Sequence, residues 1–260
     1  MINIKKYFKY LSIILLCLLS FYYTEKVALY VKTNNPLMKT IANIKDSKYV
    51  SSINSTIIDN KYIIPGLNGR EVNIDKSFSN MHEYNTYNES YLVFNEIKPT
   101  ISIEDNKDKI IIKGNKEKQS ISLIFENINE LSEYLYNNNY KVNLLIKEEL
   151  NTKKYELINN SPSISNYNKI ESFLNKNNLN KNICYIKEEN NINKCCKDKY
   201  LFKPSLIISH SNISTTINSI TSGDIILIKD TLTLTELKLI LNQISYRNLD
   251  IIPLSELIKE

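Results

Sequence analysis

From residue 120 onward the chain alternates short, largely apolar runs with stretches of helical periodicity. No other feature constrains its fold as much. The apolar runs lie at 121–125, 142–146, 156–158, 183–186, 205–208, 224–228 and 249–252. A strand with one face in water alternates apolar and polar side chains. A run without that alternation is covered on both faces, which is the situation of strands in a parallel sheet wrapped by helices. Helices are expected between them at 130–138, 168–177, 213–220 and 234–246. The segment of about 140 residues is short for eight full strand–helix units. The sequence therefore predicts an α/β fold in which a parallel barrel is trimmed or distorted. The first run ends in two polar residues, Glu126 and Asn127, at the end of a barrel strand where catalytic side chains are placed in such folds.

The N-terminus carries a different signal. Lys5, Lys6 and Lys9 precede an uncharged stretch at 10–23. A basic flank before an apolar run is an export signal. Bulky Phe21-Tyr22-Tyr23 stands where a cleavage site would need small residues, so an uncleaved signal anchor is expected over 1–24. The flanking lysines would stay in the cytoplasm and place the body outside the cell membrane. A polar, partly helical stalk is expected over 25–60, a small β-rich module over 61–117 and the α/β domain over 118–260.

Composition excludes several function classes. With 42% hydrophobic and 23% charged residues, the body is not a polytopic membrane protein. The net charge of +5 comes almost wholly from scattered lysines, and Arg70 and Arg247 are the only arginines. That is a solvated surface, so no nucleic-acid partner is expected. Four glycines and no Gly-x-Ser-x-Gly argue against phosphate-binding loops and serine hydrolase chemistry. The adjacent pairs Glu148-Glu149 and Glu188-Glu189 read as solvated charge, since glycosidase acids come from separate elements. His82 and His210 have no ligand partners at metal spacing and read as surface or turn residues. Cys17 lies in the apolar run, while Cys184, Cys195 and Cys196 match no common zinc pattern. If the domain is exported, a disulfide from Cys184 to Cys195 or Cys196 is expected, with Cys184–Cys196 carried forward; buried free thiols are the other reading.

Several segments in order resemble the polysaccharide deacetylases of the NodB-homology type, in their membrane-anchored Gram-positive branch. They are Ile64-Pro65-Gly66-Leu67-Asn68-Gly69-Arg70, Tyr91-Leu92-Val93-Phe94, Ser122-Leu123-Ile124-Phe125, Ser222-Gly223-Asp224-Ile225-Ile226-Leu227-Ile228 and Asp250-Ile251-Ile252-Pro253. The resemblance implies amide hydrolysis on N-acetylated sugars. A divalent metal such as zinc is held there by one Asp and two His, beside a base Asp and an acid His. It puts Glu126 at the base position and Lys229 at the acid position, and Asn127, Asn160 and Ile164 at the former metal positions. Tyr185-Ile186-Lys187-Glu188 replaces an Arg-x-Pro-type motif, and the helix between the second and third barrel strands is nearly missing. With those ligands gone, no cofactor is expected. The chain reads as a membrane-anchored extracellular deacetylase-like pseudoenzyme that binds cell-envelope glycan, peptidoglycan or an unknown protein partner. The alternative is a divergent carbohydrate N-acetyl deacetylase acting on envelope polysaccharide or peptidoglycan.

Overall fold

The computed structural model describes residues 4–187 and 196–260, with the side chains of residues 4–9 left out. Cys195 and the Glu188-Glu189 pair lie outside the described residues. In chain order the elements are α1 (Ile4–Asn34), α2 (Pro36–Ile44), β1 (Thr56–Ile58), β2 (Tyr62–Ile64), β3 (Gly69–Val72), α3 (Ile74–Met81), β4 (Phe94–Ile97), β5 (Ile110–Ile111), β6 (Ser120–Phe125), α4 (Glu130–Asn137), β7 (Asn143–Ile146), β8 (Glu156–Asn159), α5 (Ile164–Lys176), β9 (Ile183–Tyr185), β10 (Tyr200–Phe202), β11 (Leu206–Ile208), α6 (Ile213–Thr216), β12 (Ile225–Ile228), α7 (Leu234–Tyr246), β13 (Asp250–Ile251) and α8 (Leu254–Leu257). They gather into two compact units, Met1–Ser51 with Gly69–Ile97, and Ser52–Asn68 with Lys98–Glu260.

In the first unit α1 continues well past the expected end of the anchor at 24, because 24–34 holds no helix breaker. Its segment Tyr10–Asn34 is apolar enough to cross a membrane, and none of it is buried against the rest of the protein. Helix α2 starts where Asn35 accepts from the Leu37 amide and Pro36 takes the first turn. The antiparallel pair β3–β4 and helices α2 and α3 enclose a small core of Leu37, Ile41, Val72, Phe78 and Met81.

The second unit is the α/β body. One sheet runs β11-β12-β6-β7-β8, parallel throughout, with β13 pairing the first residues of β6. The other runs β1-β2-β5-β10-β9, parallel except for β1–β2. The expected boundary at 117 therefore does not separate two bodies. Ile110 and Ile111 are almost wholly buried and pair with Leu201 and Phe202, so strands from the segment before 117 complete the body's second sheet. Residues 147–155 join β7 to β8 without a helix, a short path for a parallel crossover.

Two-sided burial accounts for the apolar runs. Along β6, Ile121, Leu123 and Phe125 pack with α4, α5 and α7 in an outer core, while Ile124 faces an inner core. Along β12, Ile226 and Ile228 go outward, and Ile225 and Leu227 go inward. Each such side chain contributes roughly 1.5–3 kcal/mol when fully buried. Helix α8 closes the inner core with Leu254 and Leu257. Gly223 sits at a positive φ of 86°, and a Cβ there would lie 2.4 Å from the carbonyl oxygen of Gly114. That contact, in which the Gly114 amide donates to the Gly223 carbonyl at 2.7 Å, brings the chain into β12.

Buried polar groups pin α8. Asn143 Oδ1 accepts from the Leu254 amide at 2.9 Å, while its Nδ2 donates to Ser122 Oγ and the Leu123 carbonyl. Glu156 at the start of β8 accepts from the Ser255 amide at 2.8 Å and from the Ser255 hydroxyl. At the other end Lys118 donates to the carbonyls of Glu256, Leu257 and Lys259. Burial raises the Glu156 carboxyl above its ordinary 4.5, with the Ser255 donors acting the other way. The folded protein thus holds this proton more tightly than the unfolded chain does. Stability is lost as pH rises from 4.5 through the raised value. Glu156→Gln removes that slope. Urea unfolding across pH 4.5 to neutrality should show the variant gaining stability relative to wild type as pH rises; a flat difference would refute the coupling.

Candidate functional site

The C-terminal ends of β6 and β12 form one mouth. Register pairs Phe125 with Ile228, so the residues that follow, Glu126 and Lys229, leave the sheet side by side. Parity sets their direction. Ile124 and Leu227 face the inner core, and two residues further each strand presents Glu126 and Lys229 on that same side. Lys229 Nζ donates to Glu126 Oε1 at 2.8 Å, with the two side chains 34% and 31% exposed. Tyr185, at the end of β9, borders the pair. Its hydroxyl is raised above the ordinary tyrosine value, first by burial and then by the charge of Glu126.

Asn127 stands next to the pair but turns away from it. Its Nδ2 donates to Asp230 Oδ2 at 2.6 Å, and Asn129 Nδ2 donates to Asp230 Oδ1 at 2.8 Å. Asn129 also caps α4, accepting from the Ser132 amide in a reciprocal capping box. Asp230 therefore fixes the loop after β6 to the loop after β12. Sequence reasoning gave Asp230 no role, although it directly follows Lys229; only the tertiary pairing shows what it holds.

The other two expected positions follow β8, which lies two strands from β6 in the sheet. Asn160 follows β8, and its backbone amide donates to the Ile146 carbonyl at 2.8 Å. Ile164 begins α5 and is 58% exposed. The helix starts there, rather than at 168, because Ser163 Oγ accepts from the Asn166 amide and caps it. Ser161 Oγ, between these positions, is buried and has no hydrogen-bond partner among the described residues. The preceding Asn159 is buried and serves the fold, donating to the Tyr167 carbonyl at 2.9 Å and to Glu171 Oε1 at 3.0 Å.

Cys184 and Cys196 are joined by a disulfide with Cα atoms 5.8 Å apart. The Tyr167 hydroxyl lies 3.7 Å from Cys184 Sγ and accepts from Lys199 Nζ at 3.3 Å, and Lys199 closes an ion pair with Glu171. This network ties β9 and β10 to α5. His210 follows β11, is exposed, and bonds Glu236 Oε1 through Nδ1 at 2.7 Å. The Glu236 carboxyl is held below its ordinary value chiefly by the Thr233 amide, with His210 contributing. His82 caps the end of α3 and packs edge-on against Phe78. Among the described residues, no three His, Cys, Asp or Glu side chains converge as a metal-binding set.

No family profile matches the chain. Over 72 residues it is 35% identical to the uncharacterized protein YlxY of Bacillus subtilis (strain 168), a match covering 28% of this chain and only 22% of YlxY. The chain thus spans about a fifth of that relative's length. The described fold superposes on BA3943 of Bacillus anthracis, a CE4 family pseudoenzyme, with a TM-score of 0.59 over 86% of this chain and 95% of that one, at 15% identity. A BA3943 mutant with restored enzymatic activity matches with the same TM-score at 14% identity, over 86% and 98%. This chain has the CE4 fold. The expected trimmed α/β barrel is this architecture, in which the Glu126–Lys229 mouth lies at the C-terminal strand ends.

An ion pair exposed by about a third is screened by water and holds the CE4 mouth together only weakly, typically by ~0.2–1 kcal/mol. A double-mutant cycle of Glu126→Gln and Lys229→Met, read by urea unfolding, should give a coupling energy within that range. A coupling well above it would mean that the pair is a structural strut.

Proposed function

We propose that this chain is a membrane-anchored, extracytoplasmic CE4-type pseudoenzyme that binds cell-envelope glycan without hydrolysing it. One observation carries the reading: the ammonium of Lys229 stands 2.8 Å from Glu126, at positions where deacetylases of this fold place acid and base. A divalent ion there would need anionic or imidazole donors. The corresponding residues offer an amide already engaged by Asp230, the residue Asn160 and an exposed hydrocarbon, Ile164. A fixed ammonium beside the remaining carboxylate would also repel a cation. These donors do not fit a divalent metal.

Without a metal to polarise an acetyl carbonyl, the mouth has little to stabilise a tetrahedral oxyanion, the largest contribution to such a reaction. The chemistry that remains suits binding: a carboxylate that accepts from sugar hydroxyls, an ammonium that donates to them, and Tyr185 at the edge. The likeness to BA3943, itself described as a pseudoenzyme, supports this reading. The apolar helix Tyr10–Asn34 supports the anchor, since it is longer than the roughly 20 residues a spanning helix needs. The basic flank at Lys5, Lys6 and Lys9 supports an outward-facing body.

The surviving carboxylate of Glu126 favours one second reading, a metal-free divergent deacetylase. The two are separated by incubating the full chain in detergent with N-acetylglucosamine oligomers and measuring acetate. We expect no acetate above the level of Glu126→Gln, together with oligomer binding that Glu126→Gln weakens. Acetate release abolished by Glu126→Gln would overturn the pseudoenzyme reading.

A further inference from the structure

At the opposite end of the sheet from Glu126 and Lys229, the N-terminal ends of β7 and β8 border a hollow of about 760 Å³. It lies between the loop after α4, the loop before β8 and the loop after α5. A second hollow of about 430 Å³ adjoins it and shares Lys181 and Ser255. The first hollow alone is of the size that takes a small ligand. The second hollow is mixed in charge, with Glu104, Asp105 and Glu260 beside Lys98 and Lys259, so a cationic lining belongs to the first.

The lining combines aromatic surface with cations. Tyr136 and Tyr140 are 38% and 36% exposed, and Tyr155 packs behind them with its ring centroid 6.0 Å from that of Tyr136. Half-open tyrosine rings offer an apolar platform with a polar rim, suited to a pyranose ring whose faces are C–H and whose edges are hydroxyl. Around them stand Lys141, Lys153, Lys154 and Lys181. None of the four is held in an ion pair among the described residues, unlike Lys113, Lys199 or Lys229. Lys154 Nζ lies 4.9 Å from the Tyr136 ring centroid, which holds an ammonium at the edge of the platform. Two carboxylates share the lining: Glu156, turned inward onto the Ser255 amide and hydroxyl, and Glu256. Cations thus outnumber acids in a concave setting, and such a setting concentrates anions.

We propose that this hollow binds an acidic glycan, a sugar polymer bearing carboxylate or phosphate groups. The tyrosines would stack on its rings and the unpaired lysines would meet its anions. Neither arginine lines the hollow, and nucleic-acid sites depend on arginine forks. A concavity between loops also presents no plane for a lipid surface. The site lies apart from the mouth and does not depend on what the mouth does.

The test is binding to the full chain in detergent, by fluorescence anisotropy. The probes are a galacturonate oligomer, a glycerol-phosphate oligomer, an N-acetylglucosamine oligomer and a thymidine oligonucleotide of matched length. We expect one or both acidic glycans to bind, the arms showing which anion is preferred, with affinity falling as salt rises. Lys153→Gln/Lys154→Gln and Tyr136→Ala should each weaken binding by about tenfold, with thermal unfolding unchanged. Glu126→Gln should leave this binding intact. The proposal is overturned if the oligonucleotide binds as tightly as the acidic glycans, if the lysine variant binds the acidic glycans normally or weakens binding of the N-acetylglucosamine oligomer, which the mouth binds, by the same factor, or if Glu126→Gln abolishes acidic-glycan binding.

Discussion

Everything in the α/β body depends on the burial of β6 on both faces. Its outward residues, Ile121, Leu123 and Phe125, meet three helices, and its inward Ile124 meets the core that α8 closes. A strand covered on both sides has a fixed register, because a one-residue slip would exchange the two cores and carry buried Ser122 away from the amide of Asn143. That register is shared with β12, and it delivers Glu126 and Lys229 to one point on the inner side of the mouth. The chemistry at the mouth is thus a consequence of the packing below it. Two neighbouring strands place a carboxylate and an ammonium within reach, and the loops beyond are joined through Asp230.

The polar groups of the inner core show what holding an incomplete barrel together requires. With no helix between β7 and β8, one side of the body lacks the usual cover. The closing segment serves the opposite face, plugging the inner core with Leu254 and Leu257. Its first turn is held by Asn143 and Glu156, its last carbonyls by Lys118, and the carboxylate of Glu260 accepts from Ser55, Gly66 and Ile103. A buried carboxylate or amide left without donors would cost several kcal/mol, so these pairings hold the plug in one position.

What was legible in the sequence follows from the same physics. Runs such as 121–125 and 224–228 read as strands because both faces are buried, and the helix at 234–246 reads clearly because Leu237, Ile240 and Ile244 fall on one face. The strand at Tyr200–Phe202 did not read, since three residues between lysines carry no period. The residues at 101–103, apolar at both ends, form no strand: Ser102 bonds Asp105, making a local turn. Helix α5 begins earlier than its apolar pattern suggests, because a serine cap rather than burial sets its start. At the mouth, the positions of Glu126 and Lys229 were readable from strand ends. The pairing of Asn127 with Asp230 was not, because it joins two loops far apart in sequence. The tyrosine and lysine hollow was equally invisible, its members being spread among four segments with nothing local to join them.

The central claim of the proposed function is that an ion pair occupies the acid and base positions while the former metal positions, Asn127, Asn160 and Ile164, lack donors a metal would require. Zinc binding by competition with a chromophoric chelator tests this most directly, comparing the wild-type chain with Asn127→Asp/Asn160→His/Ile164→His/Lys229→Ala. The account predicts no stoichiometric zinc in the wild type and about one equivalent in the variant. One tightly held zinc in the wild type, lost on Glu126→Gln, would contradict it.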